Sequence, residues 1–237
     1  MSLQLLFNRG LKTQELIDEF FNSDFYGDMH DPCLMKGIKE AVDYLEQAIS
    51  GGKKMAIWGD YDADGVCGTL ILKSALAVLG AQVITYLPDR EKEGYGLSAK
   101  GLKEIKEAGV ELLITVDCGI TNLEGVAMAK SMGIEVIVTD HHRIVEGHLP
   151  KIDIIIDPYQ ADDNYYYKPL AGAGVAYKLV CALLKNKKLA GEYEALEKWL
   201  LDLVAIATIA DHMPLLGENR TLVIYGLIVL YQTRRPG

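Results

Sequence analysis

The segment Met55–Leu72, "MAIWGDYDADGVCGTLIL", decides the fold and poses the functional question. It sets Asp60, Asp62 and Asp64 on alternate positions and follows them with Gly65, a phrase suited to cation binding. A calcium loop of the EF-hand type opens the same way, but it needs a bidentate Glu at its twelfth position. Counted from Asp60, that position is Ile71. An EF-hand loop also follows a helix, whereas "KKMAIWG" is a short apolar run after two lysines and predicts a buried strand. The aspartates therefore stand where a strand ends and a glycine turn opens a helix. The segment is not a calcium sensor.

Outward from this point the chain alternates. Strands are predicted at Met55–Trp58, Gln82–Leu87, Leu112–Val116, Glu135–Thr139 and Ile152–Ile156. Between them lie "GVCGTLILKSALAVLG", "LSAKGLKEIKEAG" and "TNLEGVAMAKSMG", each helical in period and each ended by glycine. Val- and Ile-rich strands alternating with helices predict an α/β fold, a mostly parallel sheet of five or more strands with helices on both faces. Residues 1–50 form a helical lead-in packed on the core, with "TQELIDEFF" behind a Thr cap and an amphipathic helix closed by Gly51 and Gly52. Residues 51–237 form the main domain, with a strand-helix part at about 54–160 and a helical part at about 170–233. "DPYQADDNYYYKP" is the one loose segment expected.

With 237 residues, 50% hydrophobic and 24% charged, the chain can bury a sizeable core. No apolar run approaches the ~18 residues of a membrane span, and the amino terminus lacks the features of a secretory signal. Cys33, Cys67, Cys118 and Cys181 are widely spaced, which fits reduced thiols in a cytoplasmic protein. The net charge of −9 argues against a surface built for non-specific attraction to nucleic acid. Contacts to a polyanion are then expected to be local, or supplied by a part of the protein outside this sequence.

In an open parallel sheet, ligands gather outside the carboxyl ends of the strands. Acidic and histidine residues recur at those ends: "GDYDADG", "TVDCG" with Asp117, "VTDHH" with Asp140, His141 and His142, and "IIIDP" with Asp157. "ATIADHMP" adds Asp211 and His212 from a helix end. One Asp after a strand is ordinary turn chemistry. Several at one edge would repel strongly unless cations bind, and carboxylates with a histidine or two suit Mn²⁺ or Mg²⁺. There are enough carboxylates for two ions ~3.5–4 Å apart, the clamp used for in-line attack on phosphorus.

In this order "DYDADG", "VDCG", "TDHH" and "ATIAD" resemble the four motifs of the DHH phosphoesterase superfamily, and the wording "GDYDADG" resembles its RecJ branch of single-strand-specific exonucleases. "GYGLS", "LAGAGVAYKL" and "ENRTLVIYGL" extend the likeness over nearly the whole chain. The resemblance implies that Asp62, Asp64, Asp117, His141 and Asp211 are metal ligands, with Asp117 bridging two ions. It implies that His142 contacts the phosphate or leaving group, and that Asp60 and Asp140 orient the ligands. The activity implied is 5′→3′ hydrolysis of single-stranded DNA in repair and recombination, with a single-strand-binding protein and a helicase as partners. A further carboxy-terminal domain that closes the cleft is expected to be missing here, so the chain should bind metal but cleave DNA poorly.

Superfamily members often carry a histidine ligand four residues before the first ligand aspartate; here that residue is Trp58, whose indole only donates. The ion held by Asp62 and Asp117 is then expected to be weaker, or completed by water or Asp60. Arg90, Gly172, Gly174 and Arg220 are candidate substrate contacts. The rival readings are a solvated loop at Arg90, tight helix packing at Gly172–Gly174 and helix capping at Asn219–Arg220. The tyrosines of "YYYK" read as loop cover more than as a base-stacking platform, His30 and His148 read as surface residues, Asp157 reads as a strand terminator, and His212 has no assigned role. Two other functions compete: a small-substrate enzyme, either a phosphodiesterase of short oligonucleotides or cyclic dinucleotides or an inorganic pyrophosphatase, and a scaffold subunit that has lost catalysis.

Overall fold

The computed structural model describes residues 2–145, 147–152, 154–185, 187, 189, 191–233 and 235. Helices α1 (Ser2–Asn8), α2 (Gln14–Phe21) and α3 (Ile38–Ser50) lead into β1 (Lys54–Gly59), α4 (Ala63–Val78), β2 (Gln82–Tyr86), α5 (Ala99–Glu107), β3 (Leu112–Val116), α6 (Leu123–Ser131), β4 (Glu135–Thr139) and β5 (Ile154–Ile156). Helices α7 (Gly172–Leu184), α8 (Leu196–Trp199), α9 (Leu201–Ala210) and α10 (Gly217–Tyr231) follow. The sheet is wholly parallel in the order β2-β1-β3-β4-β5. The expected strands are therefore present. β5 starts two residues later than predicted, at Ile154, and Asp153 lies outside the described residues.

Side chains alternate across β1 in the way a doubly covered strand requires. Met55 and Ile57 enter a core with α3, α4, α7 and α9; Ala56 and Trp58 enter a second core with α5 and α6. Both faces are buried, so the strand reads as one apolar run rather than as alternation. From β1 the chain crosses to β2 on one side and returns to β3 on the other. That reversal opens a crevice at the carboxyl ends of β1 and β3, where open α/β sheets bind ligands.

Trp58 is fully buried and stacks on Tyr86, with ring centroids 4.2 Å apart, beneath Gly101 of α5. It is a core residue on the face opposite α4. The lead-in divides in two. Ile38, Ala41, Leu45 and Ala48 of α3 belong to the main core, whereas α2 buries no residue fully.

Helices α7 and α10 are joined by a buried polar network. Lys178 pairs with Glu218, and both are about 1% exposed. Glu218 also accepts from the Tyr165 hydroxyl at 2.7 Å and from the His30 backbone N–H at 3.0 Å, and Lys178 donates to the His30 carbonyl at 3.3 Å. His30, expected at the surface, is thus wired through its backbone into the interior. Tyr165 and Tyr167 cover the core as expected, the latter donating to the Leu216 carbonyl, while Tyr166 is exposed. Removing one partner of a buried pair strands the other charge. Lys178→Met should lower unfolding free energy by about 3–5 kcal/mol in urea titrations. Adding Glu218→Gln should recover part of that loss by removing the stranded carboxylate.

Candidate metal centre

Register creates the site. Gly59 pairs with Val116, Val116 with Thr139 and Thr139 with Ile156, so the next residues, Asp60, Asp117, Asp140 and Asp157, form one row along the carboxyl rim. Four strands each supply an aspartate at the same level. Their surroundings then give them different roles.

Asp62 caps α4, its Oδ1 accepting from the N–H groups of Asp64 at 2.9 Å and Gly65 at 3.0 Å. Gly65 is required because a Cβ there would lie 2.4 Å from the Asp60 nitrogen. Asp64, on the first turn of α4, is 1% exposed and accepts from the N–H groups of Gly172 and Ala173, both at 2.6 Å. The amino terminus of α7 therefore holds a carboxylate of the protein itself. This corrects the expectation that Gly172 contacts substrate, because its N–H is already committed. A Cβ on Gly172 would also meet the Asp117 Cβ at 2.7 Å, and one on Gly174 would meet Leu170 at 3.3 Å, so both glycines serve close packing.

Asp117 takes a left-handed conformation, φ 58°, which Asp tolerates better than most residues but which still carries strain. Its N–H donates to the Thr139 carbonyl at 3.1 Å, and its carbonyl accepts from the Tyr95 hydroxyl at 3.1 Å. His141 donates from Nδ1 to the Leu170 carbonyl at 2.9 Å and turns Nε2 toward Asp117 Oδ1 at 3.0 Å, Asp64 Oδ2 at 3.6 Å and Asp211 Oδ2 at 3.8 Å. A carbonyl behind one ring nitrogen is the usual support for a metal-binding histidine. Asp211 comes from the carboxyl end of α9, and His212 follows with φ 56°, turning the chain out of the helix while its side chain is exposed.

Asp140 has a different task. Its Oδ2 accepts from the Ile120 N–H at 2.9 Å; its Oδ1 accepts from the His141 N–H at 2.8 Å and from His142 Nδ1 at 2.7 Å. This fully buried carboxylate ties the turns after β3 and β4 together and leaves His142 Nε2 uncommitted. Asp157, expected as a strand terminator, does accept the Tyr159 N–H at 2.7 Å, yet it is also fully buried with an unpartnered Oδ2. Arg90 lies over the Tyr61 ring at 5.2 Å, and its charge reaches Asp60. Arg220 instead lies over Phe20 at 3.5 Å and donates to that residue's carbonyl, anchoring α2. The sequence reading of Arg220 as a substrate contact is thereby corrected: its guanidinium is taken up by Phe20 of the lead-in.

The side chains fall into adjoining groups whose donor atoms lie within 4.8 Å: Asp64, His141 and Asp211; Asp60, Asp62 and Asp117; and Asp117, His141 and His142. The all-oxygen and single-imidazole sets fit a hard divalent ion. Asp60 Oδ1 is buried without a hydrogen-bond partner, as a ligand position would be. Sequence reasoning gives Asp60 either a supporting role or the completion of the ion held by Asp62 and Asp117; its place in the second group makes it available for the latter.

Residues 54–208 match the DHH family, N-terminal domain. The chain belongs to the DHH family. It is 46% identical over 233 residues to the single-stranded-DNA-specific exonuclease RecJ of Bacillus subtilis, covering 98% of this chain and 28% of that protein. The crystal structure of exonuclease RecJ bound to manganese is 43% identical and superposes with a TM-score of 0.72 over 82% of this chain and 48% of that one. RecJ from Thermus thermophilus in complex with Mn²⁺ gives 36% identity and a TM-score of 0.74 over 97% of this chain and 31% of that one. The chain spans about a third of the length of the curated relatives it matches, 28% for the Bacillus protein and 37% for that of Dickeya dadantii.

In this DHH domain, burial and the Asp64 charge push Asp117 up to about 8 against the opposing hydrogen bond from His141, and burial pushes Asp64 up to about 6. Burial opposes charge on His141, but Asp117 and Asp64 outweigh it and raise the imidazole to about 9. All three groups bind protons more tightly folded than unfolded, so the metal-free site loses stability as pH rises from the ordinary carboxylate range through these values. Divalent ions displace those protons. Manganese should therefore raise the melting temperature more at pH 8 than at pH 6, as read by calorimetry. Gly172→Ala should weaken manganese binding about 10–100-fold by displacing Asp117 and Asp64, the scale seen when ligand supports are lost. Gly174→Ala should stay near the parental affinity.

Proposed function

We propose that the chain is the metal-binding part of a phosphodiesterase acting on single-stranded DNA from its 5′ end, in repair and recombination. The carrying observation is the pair of adjoining donor groups at one rim, Asp64–His141–Asp211 and Asp60–Asp62–Asp117. Asp117 belongs to a group with His141 as well, which suits it to bridge two ions. The names of the relatives, single-stranded-DNA-specific exonucleases, support the substrate class. Mn²⁺ or Mg²⁺, when bound, supplies charge neutralisation for the phosphate and lowers the pKa of water.

The protein's own residues do the rest. Asp140 holds the His142 Nδ1 proton, leaving Nε2 to interact with the phosphate or give a proton to the departing oxygen. Tyr95 supports the left-handed turn that aims Asp117. The N–H groups of Gly172 and Ala173 fix both oxygens of Asp64. Completeness of the donor set disfavours a scaffold subunit without catalysis. Trp58, buried away from the cluster, leaves Asp60 as the group that completes the second ion's ligands. A cytoplasmic setting with a single-strand-binding protein and a helicase as partners completes the proposal; no helix among the described residues is long and apolar enough to cross a membrane.

The test is manganese titration followed by incubation with 5′-labelled single-stranded DNA. Two ions should bind, Asp117→Ala should abolish the bridged site, and nucleotides should be released from the labelled end, however slowly. His142→Ala should bind manganese yet release product about 10²–10⁴-fold more slowly. Failure of the parent to bind manganese would sink the reading; cleavage of dinucleotides alone would shift it to the short-oligonucleotide class.

A further inference from the structure

Two arginine–tyrosine pairs flank the cluster. At one end Arg90, in the segment after β2, lies over Tyr61, the residue between Asp60 and Asp62. At the other end Arg143, the residue after His142, lies 3.9 Å from the centre of the Tyr159 ring. Both arginines are exposed. Arg235 is taken up by Asp202 and Arg220 by the Phe20 carbonyl, whereas among the described residues neither Arg90 nor Arg143 has such a partner. Arg90 already acts on Asp60, but in a chain of net charge −9 the exposed guanidinium of Arg143, with no carboxylate partner among the described residues, is a local positive site that can take an anion.

The Tyr159 end is built rather than incidental. Buried Asp157 and Pro158 precede the ring, and Asp157 accepts the Tyr159 N–H. Gln160 Nε2 donates to the Ile155 carbonyl at 2.8 Å, closing the turn onto β5. The ring therefore stands in a fixed place, with one face covered by a planar cation. Strand order sets the spacing: Tyr61, under Arg90, follows β1 and Tyr159 follows the edge strand β5, three inter-strand gaps apart, or about 14 Å at ~4.8 Å per gap. The donor groups lie between. A single strand laid across the carboxyl ends would meet one pair, then the metals, then the other pair.

We infer that Arg143 and Tyr159 form a nucleotide-binding subsite on the β4–β5 side of the cleft, taking a backbone phosphate on the guanidinium and a base on the stacked pair. The inference rests on the proposal that the substrate is single-stranded DNA. Such subsites combine phosphate charge with aromatic stacking and are tolerant of sequence.

The test measures binding of fluorescent oligothymidylate with a hydrolysis-resistant phosphorothioate backbone to the manganese-loaded chain by anisotropy across a range of salt. Arg143→Gln should lower the salt slope by about 0.7, one phosphate contact on a single strand. Tyr159→Leu should weaken binding about 5- to 100-fold through lost stacking. Arg143→Lys should keep the slope but lose part of the affinity, because it keeps charge and loses the planar stack. Lys130→Gln, which removes the same charge from α6 at the opposite end of the sheet, should leave affinity and slope unchanged. If the parent binds DNA and the Arg143 and Tyr159 variants match it in affinity and slope, the subsite is refuted and the substrate proposal survives. If the parent retains manganese but binds no DNA, both are refuted.

Discussion

Repulsion among buried carboxylates is the constraint on which the structure turns. Parallel register sets buried Asp60, Asp117, Asp140 and Asp157 side by side at the rim, and the first turn of α4 adds buried Asp64 behind its solvent-exposed cap, Asp62. Water is largely excluded from the five buried ones, so ionising them together is costly. The fold answers with three devices: backbone N–H groups for Asp64 and Asp140, imidazoles from His141 and His142, and donor sets left open for cations. Much of the local architecture follows from those devices.

Helix α7 shows the logic. Its amino terminus offers free N–H groups and the positive end of a dipole, which in many α/β proteins cradle a ligand phosphate. Here they are spent on Asp64, and the absence of a side chain on Gly172 lets the helix approach Asp117. The Lys178–Glu218 network locks the same helix to α10 and to the loop carrying Tyr165. Ligand placement thus depends on packing well away from the rim, and the sequence does not advertise that link.

The order of the chain also explains the division of labour among similar residues. Asp140 and Asp117 stand at matching positions on neighbouring strands, yet one is saturated by hydrogen bonds and the other faces the donor groups. His141 and His142 are consecutive but turn different nitrogens to different partners. Identical chemistry becomes a saturated carboxylate or an available donor according to which hydrogen-bond donors the neighbouring turn supplies.

Local pattern alone determined the strands, the helices between them and the presence of carboxylates at strand ends, because apolar period and glycine punctuation are short-range signals. "DYDADG" and "DHH" marked the site for the same reason: the residues that make it are adjacent in the chain. Tertiary structure decided what has no local signature. The fate of Arg220 against Phe20, the commitment of the Gly172 N–H to Asp64, the turning of Trp58 into the second core and the pairing of Arg143 with Tyr159 each join residues far apart or set a direction in space. Such contacts depend on strand order and helix packing, which place distant side chains at hydrogen-bond range, and a one-dimensional pattern carries no record of that distance.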